Sequence, residues 1–169
     1  STFTDGAGNA NTVSNTFAWT YDSTGPSMTI TSSTVTSGDT SNDATIALAF
    51  AAGESTTNLV AGDVTVSAGT LSSFAGSGTS YTATFTPGAD ATYTISIAAD
   101  KFTDAAGNQN SASNTFAWTY DSTALSITIA SSTSGVTSGS TTNDASIAVT
   151  FTTSESTTGF AADDVVVSG

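Results

Sequence analysis

The chain contains no cysteine, no histidine and no arginine, and only one lysine among its 169 residues. Without cysteine there can be no disulfide and no thiolate metal site. Without histidine the usual general base, the commonest metal ligand and every Ser-His-Asp arrangement are excluded. The many serine and threonine hydroxyls therefore lack the usual base that would activate them. The sequence predicts no catalytic residues and a protein that is not an enzyme.

Positive charge is the other scarce feature. Fourteen acidic residues against a single lysine give a net charge of −13. Phosphate backbones and anionic membrane surfaces attract lysine and arginine, so we expect no nucleic-acid partner. No apolar run is long enough to cross a bilayer, and membrane insertion is not expected. Acid-rich chains are often disordered, but 37% of this chain is apolar and its aromatic residues recur at a fixed register, which predicts a folded protein.

An internal repeat organises the chain. Residues 3–24 return at residues 102–123, 99 residues later, with 18 of 22 positions identical. A second pair, residues 41–50 and 142–151, is offset by 101, because the later copy carries two extra residues between 131 and 139. Insertions are tolerated in loops, so we predict a loop there.

A period of about 100 residues is the length of one domain, which indicates a tandem array of independently folded repeats. We expect the C-terminal end of one repeat in residues 1–24, a complete repeat in residues 25–122 and the N-terminal part of the next in residues 123–169. Such a stretch is expected to come from a longer chain.

Apolar and small polar residues alternate along the complete repeat, which is the pattern of strands buried on one face. The predicted strands are 27–31, 44–50, 63–67, 81–86, 92–98 and 114–120. Stretches rich in Gly, Ser, Asn and Asp separate them and predict turns, among them GSGTS at 76–80. About seven strands in roughly 100 residues are typical of an immunoglobulin-like β-sandwich. The predicted fold class is all-β, with tandem immunoglobulin-like sandwiches of about 100 residues each.

The acidic residues recur with the repeat. Ten of the 14 occupy positions kept in both copies: Asp5/Asp104, Asp22/Asp121, Asp43/Asp144, Glu54/Glu155 and Asp63/Asp164. Asparagine pairs accompany them, including Asn9/Asn108 and Asn11/Asn110. Acids needed only for solubility could stand almost anywhere on a surface. Their recurrence at fixed loop positions therefore calls for a local cause.

Topology groups these acids at one pole of the predicted sandwich. The entering segment, which holds Asp22, lies at the same end as the loops after the second and sixth strands. Glu54 is predicted in the first of those loops, and Asp104 and Asn108 in the second. Carboxylate and amide oxygens without nitrogen or sulfur ligands suit Ca²⁺. The sequence predicts calcium sites at the repeat junctions, with these candidate ligands: Asp22, Glu54, Asp104, Asn108, and at the second junction Asp121 and Glu155.

Two ordinary explanations remain open at this point. Asp and Asn in the loop at 104–108 can simply form Asx turns, and the other acids can belong to solvated loops. The aromatic residues also allow two interpretations. A stacking platform for a sugar would need exposed rings, whereas the shared register with Phe17 and Phe116 favours a core position for the following set: Trp19, Trp118, Tyr21 and Tyr120.

The phrases FTDAAGNQNSAS at 102–113, YDST at 120–123 and SESTTGFAADDVVVSG at 154–169 resemble those of bacterial Ig-like repeat domains. Such repeats form long arrays in giant secreted adhesins, including the RTX adhesins of Gram-negative bacteria. The resemblance implies an extracellular sandwich at the bacterial cell surface, often stiffened by calcium at its junctions. It implies that the chain is an extender in an adhesin or biofilm filament. The implied partners of each repeat are the neighbouring repeats of the same chain and other copies of the chain in a filament.

The chain departs from that family at specific positions. Gly25 and Pro26 of the first linker become Ala124 and Leu125 in the second, which predicts a less rigid second junction. Some Ig-like repeats carry a Lys–Asn isopeptide bond, but Lys101 corresponds to Thr2, so this bond cannot be general here. The alternative functions are a glycan-binding Ig-like module and an accessory module of a secreted enzyme or phage fibre.

Overall fold

The structure, a computed structural model, describes residues 2–167 and consists almost entirely of strands and loops. Ser1, Ser168 and Gly169, the outermost residues of the two predicted partial repeats, lie outside the described residues. The chain forms two compact units, Ser1–Tyr120 and Asp121–Gly169, which are taken separately below. None of the described residues belongs to a helix of the length and apolarity that crossing a membrane requires.

The first unit contains seven strands, and the predicted all-β sandwich is confirmed. They are β1 (Met28–Ser32), β2 (Thr40–Ser41), β3 (Ile46–Thr56), β4 (Val64–Val66), β5 (Thr70–Thr86), β6 (Ala91–Ile97) and β7 (Phe116–Tyr120), with a 3-10 turn at Ala61–Asp63. One sheet has the order β1-β3-β5 and the other β2-β7-β6-β4. The chain changes sheet between β1 and β2, and all pairs of the first unit are antiparallel except β2 with β7.

The segment Thr70–Thr86, given above as the single strand β5, folds back on itself as a tight hairpin. Ser72 Oγ donates a hydrogen bond to the carbonyl oxygen of Thr84 at 3.4 Å, and the ring of Phe74 stacks on that of Tyr81. A straight strand would separate residues 72 and 84 by roughly 40 Å. The reversal lies at Gly76 and Gly78, whose φ angles are +139° and +64°. The turn predicted at 76–80 coincides with it.

The core follows the two-residue period of the strands. Alternate positions of β1, β3, β6 and β7 are buried, and the most enclosed large side chains are Trp118, Phe50, Phe85, Phe102, Phe116, Ile30, Ile46, Leu48, Ile95 and Ile97. Trp118 is fully buried, as predicted. Its ring lies 6.3 Å from those of Phe85 and Tyr93 and 5.7 Å from that of Tyr120. Its indole N–H donates to Ser41 Oγ at 3.0 Å.

All six predicted strands overlap observed ones, but two elements were missed. β2 is only two residues long and polar, so it carries no periodic signal. The first arm of β5 is rich in serine and glycine, residues that usually mark turns. Glu54 was predicted in a loop, and this is wrong: it lies in β3, which runs on to Thr56.

The second unit repeats the beginning of the first. β8 (Ile127–Ser131) pairs with β9 (Val149–Thr153), and a 3-10 turn follows at Ala162–Asp164. Ile129 faces Phe151 just as Ile30 faces Phe50, so the register is the same. The two extra residues fall between β8 and β9 in a loop, as predicted, where Gly135 has a φ of +77°.

The copy of β7 near the start of the chain does not form a core, which corrects the prediction made from register. Phe17, Trp19 and Tyr21 are 86%, 73% and 75% exposed. β7 is buried because β2 and β6 flank it and the opposite sheet covers it. Within the described range 2–167, no strand pairs with residues 12–21. Identical side chains therefore remain in solvent.

Candidate metal centre

Three carboxylates converge at one pole of the first unit. Each of Asp22, Glu54 and Asp104 offers an oxygen, and these oxygens all lie within 4.8 Å of one another. Asp22 is exposed, Glu54 half-buried and Asp104 buried. They come from three segments far apart in sequence, as the topological prediction required. The position of each carboxylate has its own local cause.

Asp22 belongs to the segment that enters the sandwich, and close backbone contacts hold that segment. A β-carbon at Gly25 would lie 2.0 Å from the carbonyl oxygen of Gln109, so only glycine allows this approach. The next residue, Pro26, is buried, and its carbonyl accepts a hydrogen bond from the backbone N–H of Ser111 at 3.1 Å. The Gly-Pro linker thus fixes the entering segment against the loop at 105–111.

Glu54 lies where β3 becomes irregular. The pairing of β3 with β5 shifts register between Ala51 and Thr56. On one side of Glu54, the N–H of Gly53 donates to the carbonyl of Ser27 at 3.0 Å. On the other, Thr56 is buried, with its hydroxyl 2.6 Å from that of Tyr81. The bulged strand end is therefore anchored on both sides of Glu54.

Asp104 and Asn108 form a self-contained turn. Asp104 accepts hydrogen bonds from the backbone and side-chain nitrogens of Asn108, both at 2.9 Å. In the first copy Asp5 and Asn9 make the same two bonds at the same distances, although both residues are exposed. The Asx-turn explanation therefore suffices for the shape of this loop. It does not explain why the loop meets Glu54.

Three further hydrogen bonds join the three segments. The N–H of Thr57 donates to the carbonyl of Thr103 at 3.1 Å, and the N–H of Thr103 donates to Asn58 Oδ1 at 2.8 Å. These bonds connect the end of β3 to the loop of Asp104. In addition, Asn108 Nδ2 donates to the carbonyl oxygen of Asp22 at 3.3 Å. Asn108 thereby braces the entering segment against its own turn.

The electrostatics of the cluster are unbalanced. The pKa of Glu54 is raised above its ordinary value, first by removal from water and then by the negative charges of Asp22 and Asp104. The pKa of Asp104 is lowered, mainly by the hydrogen bond from the Asn108 side chain. The sequence offers one lysine to 14 acids, so protein cations can balance little of this charge. A bound cation would relieve the repulsion.

Asp121 and Glu155, the counterparts of Asp22 and Glu54, keep parts of the local geometry. Asp121 Oδ1 accepts a hydrogen bond from the N–H of Thr123 at 3.0 Å, as Asp22 does from Thr24. Glu155 lies two residues beyond β9. The only three-carboxylate group in the described part of the chain is the one at Asp22, and neither counterpart belongs to such a group.

Two asparagines and a glycine that shape this region were not among the predicted site residues. Asn110 is buried and uses its side chain for four hydrogen bonds, to the backbone of Ala98, Lys101, Phe102 and Ser111. Asn114 accepts from the N–H of Ile30 at 2.7 Å and donates to its carbonyl at 3.0 Å. The recurrence of both asparagines in the two copies was visible. The close approach at Gly25 was not.

Comparison with known proteins gives one match. Residues 22–120 match the family model of the bacterial Ig-like domain, a range that includes every strand of the first unit and all three clustered carboxylates. No curated protein matches the chain. No solved structure matches it either.

Proposed function

The chain belongs to the bacterial Ig-like domain family, and we propose that it is an extender of a bacterial surface adhesin or filament, stiffened by calcium. Membership of the family supports an extracellular structural or binding module. The finer assignment, to an array that holds a terminal binding domain away from the cell, is our proposal. It rests on the sequence repeat and on the cluster of Asp22, Glu54 and Asp104 at one end of the first unit.

The observation that carries the calcium proposal is the convergence of Asp22, Glu54 and Asp104 from three segments to within 4.8 Å. Asp22 stands in the entering segment, just ahead of the sandwich. An ion bound there would tie that segment to the body of the domain, at the point where a neighbouring repeat would connect. Extension by rigid junctions requires such a connection, because inter-domain contacts are otherwise small and mobile.

Calcium fits the donor set better than other common cations. It accepts six to eight oxygen ligands, including carboxylates, backbone carbonyls and water, in flexible geometry. The three carboxylates and the nearby carbonyl of Asp22 supply hard oxygens. Asn108 braces the site, since its amide nitrogen donates to Asp104 and to Asp22, and its amide oxygen is the atom that we propose as a ligand. For Asp121 and Glu155 we propose an equivalent site at the second junction.

The glycan-binding alternative receives less support. Trp118 of the complete unit is 0% exposed and is not available for stacking on a sugar, whereas Trp19 and Tyr21 are 73% and 75% exposed, so a sugar would have to stack on those two rings and not on the core of the unit. An accessory role in a secreted enzyme or phage fibre would leave the same sandwich and the same pole. A glycan array with the intact protein tests the first alternative directly, and retention of any sugar would favour it.

Two measurements test the calcium proposal: a calcium titration monitored by calorimetry, and thermal unfolding with and without calcium. We expect a dissociation constant of about 10⁻⁴ to 10⁻³ M, typical of extracellular modules. At a tenfold excess over Kd, the bound ion should add about 1.4 kcal/mol to the free energy of unfolding. Glu54→Gln should abolish both the binding heat and the stabilisation.

Asp100→Asn is the matched control. It removes one negative charge outside the cluster, and Asn tolerates the left-handed backbone of this residue, whose φ is +62°. This variant should bind calcium like the wild type. Equal melting curves in about 10 mM calcium and in EGTA would contradict the proposal, and so would equal losses in both variants.

A further inference from the structure

The two sheets of the first unit have four edge strands, and three of these edges offer little to a further strand. β2 and β4 are only two and three residues long. The first arm of β5 lies at the outer edge of its sheet, and its backbone enters the left-handed region at Ser73, whose φ is +53°. Short strands and irregular backbones are common ways of preventing edge-to-edge pairing. Their own backbones therefore protect these three edges.

The fourth edge strand, β1, has no such protection in its own sequence. It is five residues long, and in the described part of the chain it pairs with β3 alone. Charged side chains and prolines within an edge strand commonly keep other chains away. β1 contains no proline, and none of residues 26–38 is charged. An edge of this kind is a template on which another chain can add a strand.

A side chain occupies the middle of this edge. The N–H of Ile30, the central residue of β1, donates to Asn114 Oδ1 at 2.7 Å, and Asn114 Nδ2 donates to the carbonyl of Ile30 at 3.0 Å. The side-chain amide offers both a donor and an acceptor. It therefore makes the two hydrogen bonds that a residue of a neighbouring antiparallel strand would make. The first copy of the repeat also has asparagine at this position, as Asn15.

The residues before Asn114 hold it in this position. The N–H of Ser113 donates to the carbonyl of Ile97 at 2.9 Å, and Ser113 Oγ accepts from the N–H of Ile97 at 2.9 Å. Ile97 belongs to β6, in the opposite sheet. Ser113 and Asn114 thus each bond to both backbone groups of one residue, in opposite sheets. The N–H of Ser111 also donates to the carbonyl of Pro26 at 3.1 Å, so residues 111–114 are fixed beside the β1 edge.

The rest of the β1 edge is open to solvent. Asn114 itself is exposed. Beside it, an open cleft of about 300 Å³ follows residues 29–32 of β1 and is closed on its other side by residues 35–37 and Phe116. Removal of the Asn114 side chain would therefore extend this cleft to the backbone of Ile30. The amide is the part of Asn114 that stands between that backbone and another chain.

We propose that the edge of β1 is a pairing site for the same edge of a second copy of this chain, and that the Asn114 side chain keeps this site closed. Copies with a net charge of −13 repel one another, so a close contact between them needs a surface without acids, and residues 26–38 form one. Without the amide, two β1 strands would lie antiparallel and the two Ile30 residues would exchange both backbone hydrogen bonds. Because both copies use the same surface, the contact closes as a dimer.

Sedimentation velocity of the 169-residue protein over a range of concentrations tests this proposal. Relative to the wild type, Asn114→Ala should show a sedimentation coefficient that rises with concentration. Tyr93→Phe is the matched control, because it also removes two hydrogen bonds to the main chain: the Tyr93 hydroxyl accepts from the N–H of Gly88 at 2.9 Å and donates to the carbonyl of Ala89 at 2.6 Å. Tyr93 lies in the other sheet, so Tyr93→Phe should sediment like the wild type.

Two further variants separate an opened edge from a loss of stability. Asn114→Asp keeps an acceptor for Ile30 but places a negative charge on the edge, so it should not dimerise. Asn114→Ser is too short to reach both backbone groups and should associate, which keeps the test available if Asn114→Ala does not fold.

Hydrogen exchange at the N–H of Ile30 provides the second measurement. Exchange should be slow in the wild type, fast in dilute Asn114→Ala and slow again in its dimer. These results should persist in EGTA, which separates this edge from the proposed calcium site. Folded Asn114→Ala or Asn114→Ser that sediments like the wild type at every concentration would overturn the proposal. Equal association of the Ala and Asp variants would also overturn it.

Discussion

The two tryptophans allow one substitution to be made twice in the same sequence context. Trp118 is fully buried in the first unit, and Trp19, its copy in the repeat, is 73% exposed. We predict that Trp118→Ala strongly destabilises this unit, whereas Trp19→Ala leaves its free energy of unfolding unchanged within about 0.5 kcal/mol, the usual limit for surface changes. Local sequence is the same at the two sites, so only packing can separate them.

The magnitude follows from the surroundings of Trp118. Its removal leaves a cavity among Phe85, Tyr93 and Tyr120 and removes the indole N–H that donates to Ser41 Oγ. Truncation of a buried tryptophan to alanine costs about 3–5 kcal/mol. At about 4–8 °C per kcal/mol for a domain of this size, the melting temperature should fall by roughly 12–40 °C. Since whole domains have only about 5–15 kcal/mol of stability, Trp118→Ala can unfold the unit.

Trp118→Phe keeps the measurement possible in that event. Phenylalanine retains most of the apolar contact but loses the indole N–H that donates to Ser41 Oγ. We expect a loss of about 1–3 kcal/mol for this smaller change. Urea unfolding followed by circular dichroism gives the free energies of all three variants and the wild type.

Fluorescence supplies an independent check. Trp19→Ala leaves Trp118 as the only tryptophan, so native emission should be blue-shifted and should move to longer wavelength on unfolding. Emission at the wavelength of exposed indole in the native Trp19→Ala protein would refute the core assignment. A free energy of unfolding for Trp118→Ala within about 1 kcal/mol of the wild type would also refute it, because truncation of a core tryptophan costs more than that.

Three further predictions concern the carboxylate cluster and the edge of β1. The pKa of Glu54 is raised in the folded state, so the wild-type protein loses stability as the pH rises above the ordinary value of 4.5 and through the folded pKa. In calcium-free buffer Glu54→Gln should therefore raise the melting temperature at pH 7 but hardly at pH 4. Gly25→Ala should weaken calcium binding in calorimetry without removing a carboxylate, because a β-carbon there collides with the Gln109 carbonyl. Asn114→Ala should cost about 1–3 kcal/mol in urea unfolding, since Ile30 loses two hydrogen bonds, whereas binding of calcium should be unaffected.

The strands could be predicted because their signal is local. Alternation in β3, β6 and β7 indicates one buried face, and the observed burial follows it except at the end of β7, where Tyr120 is half-buried. β2 could not be predicted in this way. It is a strand only because β7 pairs with it, and two polar residues contain no record of that pairing.

The sequence predicted that Asp22, Glu54 and Asp104 lie at one pole, but not the contacts that hold them there. The repeat identified Asp22, Glu54 and Asp104, and the order of strands in a sandwich brought them to one pole. The bulge that places Glu54 in β3 depends on pairing with β5, and the approach of Gly25 to Gln109 depends on tertiary packing. Neither has a counterpart in a local pattern. Register likewise could not reveal that Trp19 is exposed, because burial depends on the strands around it.

The recurring acids fall into two classes, and this distinction decides which of them calls for a ligand. Asp5 and Asp104 accept hydrogen bonds from the asparagine four residues later, which lowers the pKa of each, so a turn alone accounts for their recurrence. Glu54 is different. In the part of the chain that the structure describes, its carboxylate accepts no hydrogen bond, and its pKa is raised first by removal from water and then by the two neighbouring carboxylates.

A hydrogen-bonded turn can explain the recurrence of Asp5 and Asp104, but it cannot explain the recurrence of Glu54, whose charge is unfavourable at its position. Gln at this position would have nearly the same shape without the repulsion, yet both copies of the repeat have glutamate, as Glu54 and Glu155. A cation bound at this position would turn the charge of Glu54 into an advantage, and a hard divalent cation is the partner that three oxygen ligands from separate segments favour. Glu54, and not the Asp104 turn, is accordingly the residue on which the calcium proposal depends. If Glu54→Gln stabilises the protein without calcium and leaves calcium binding intact, the pole is only a cluster of turns.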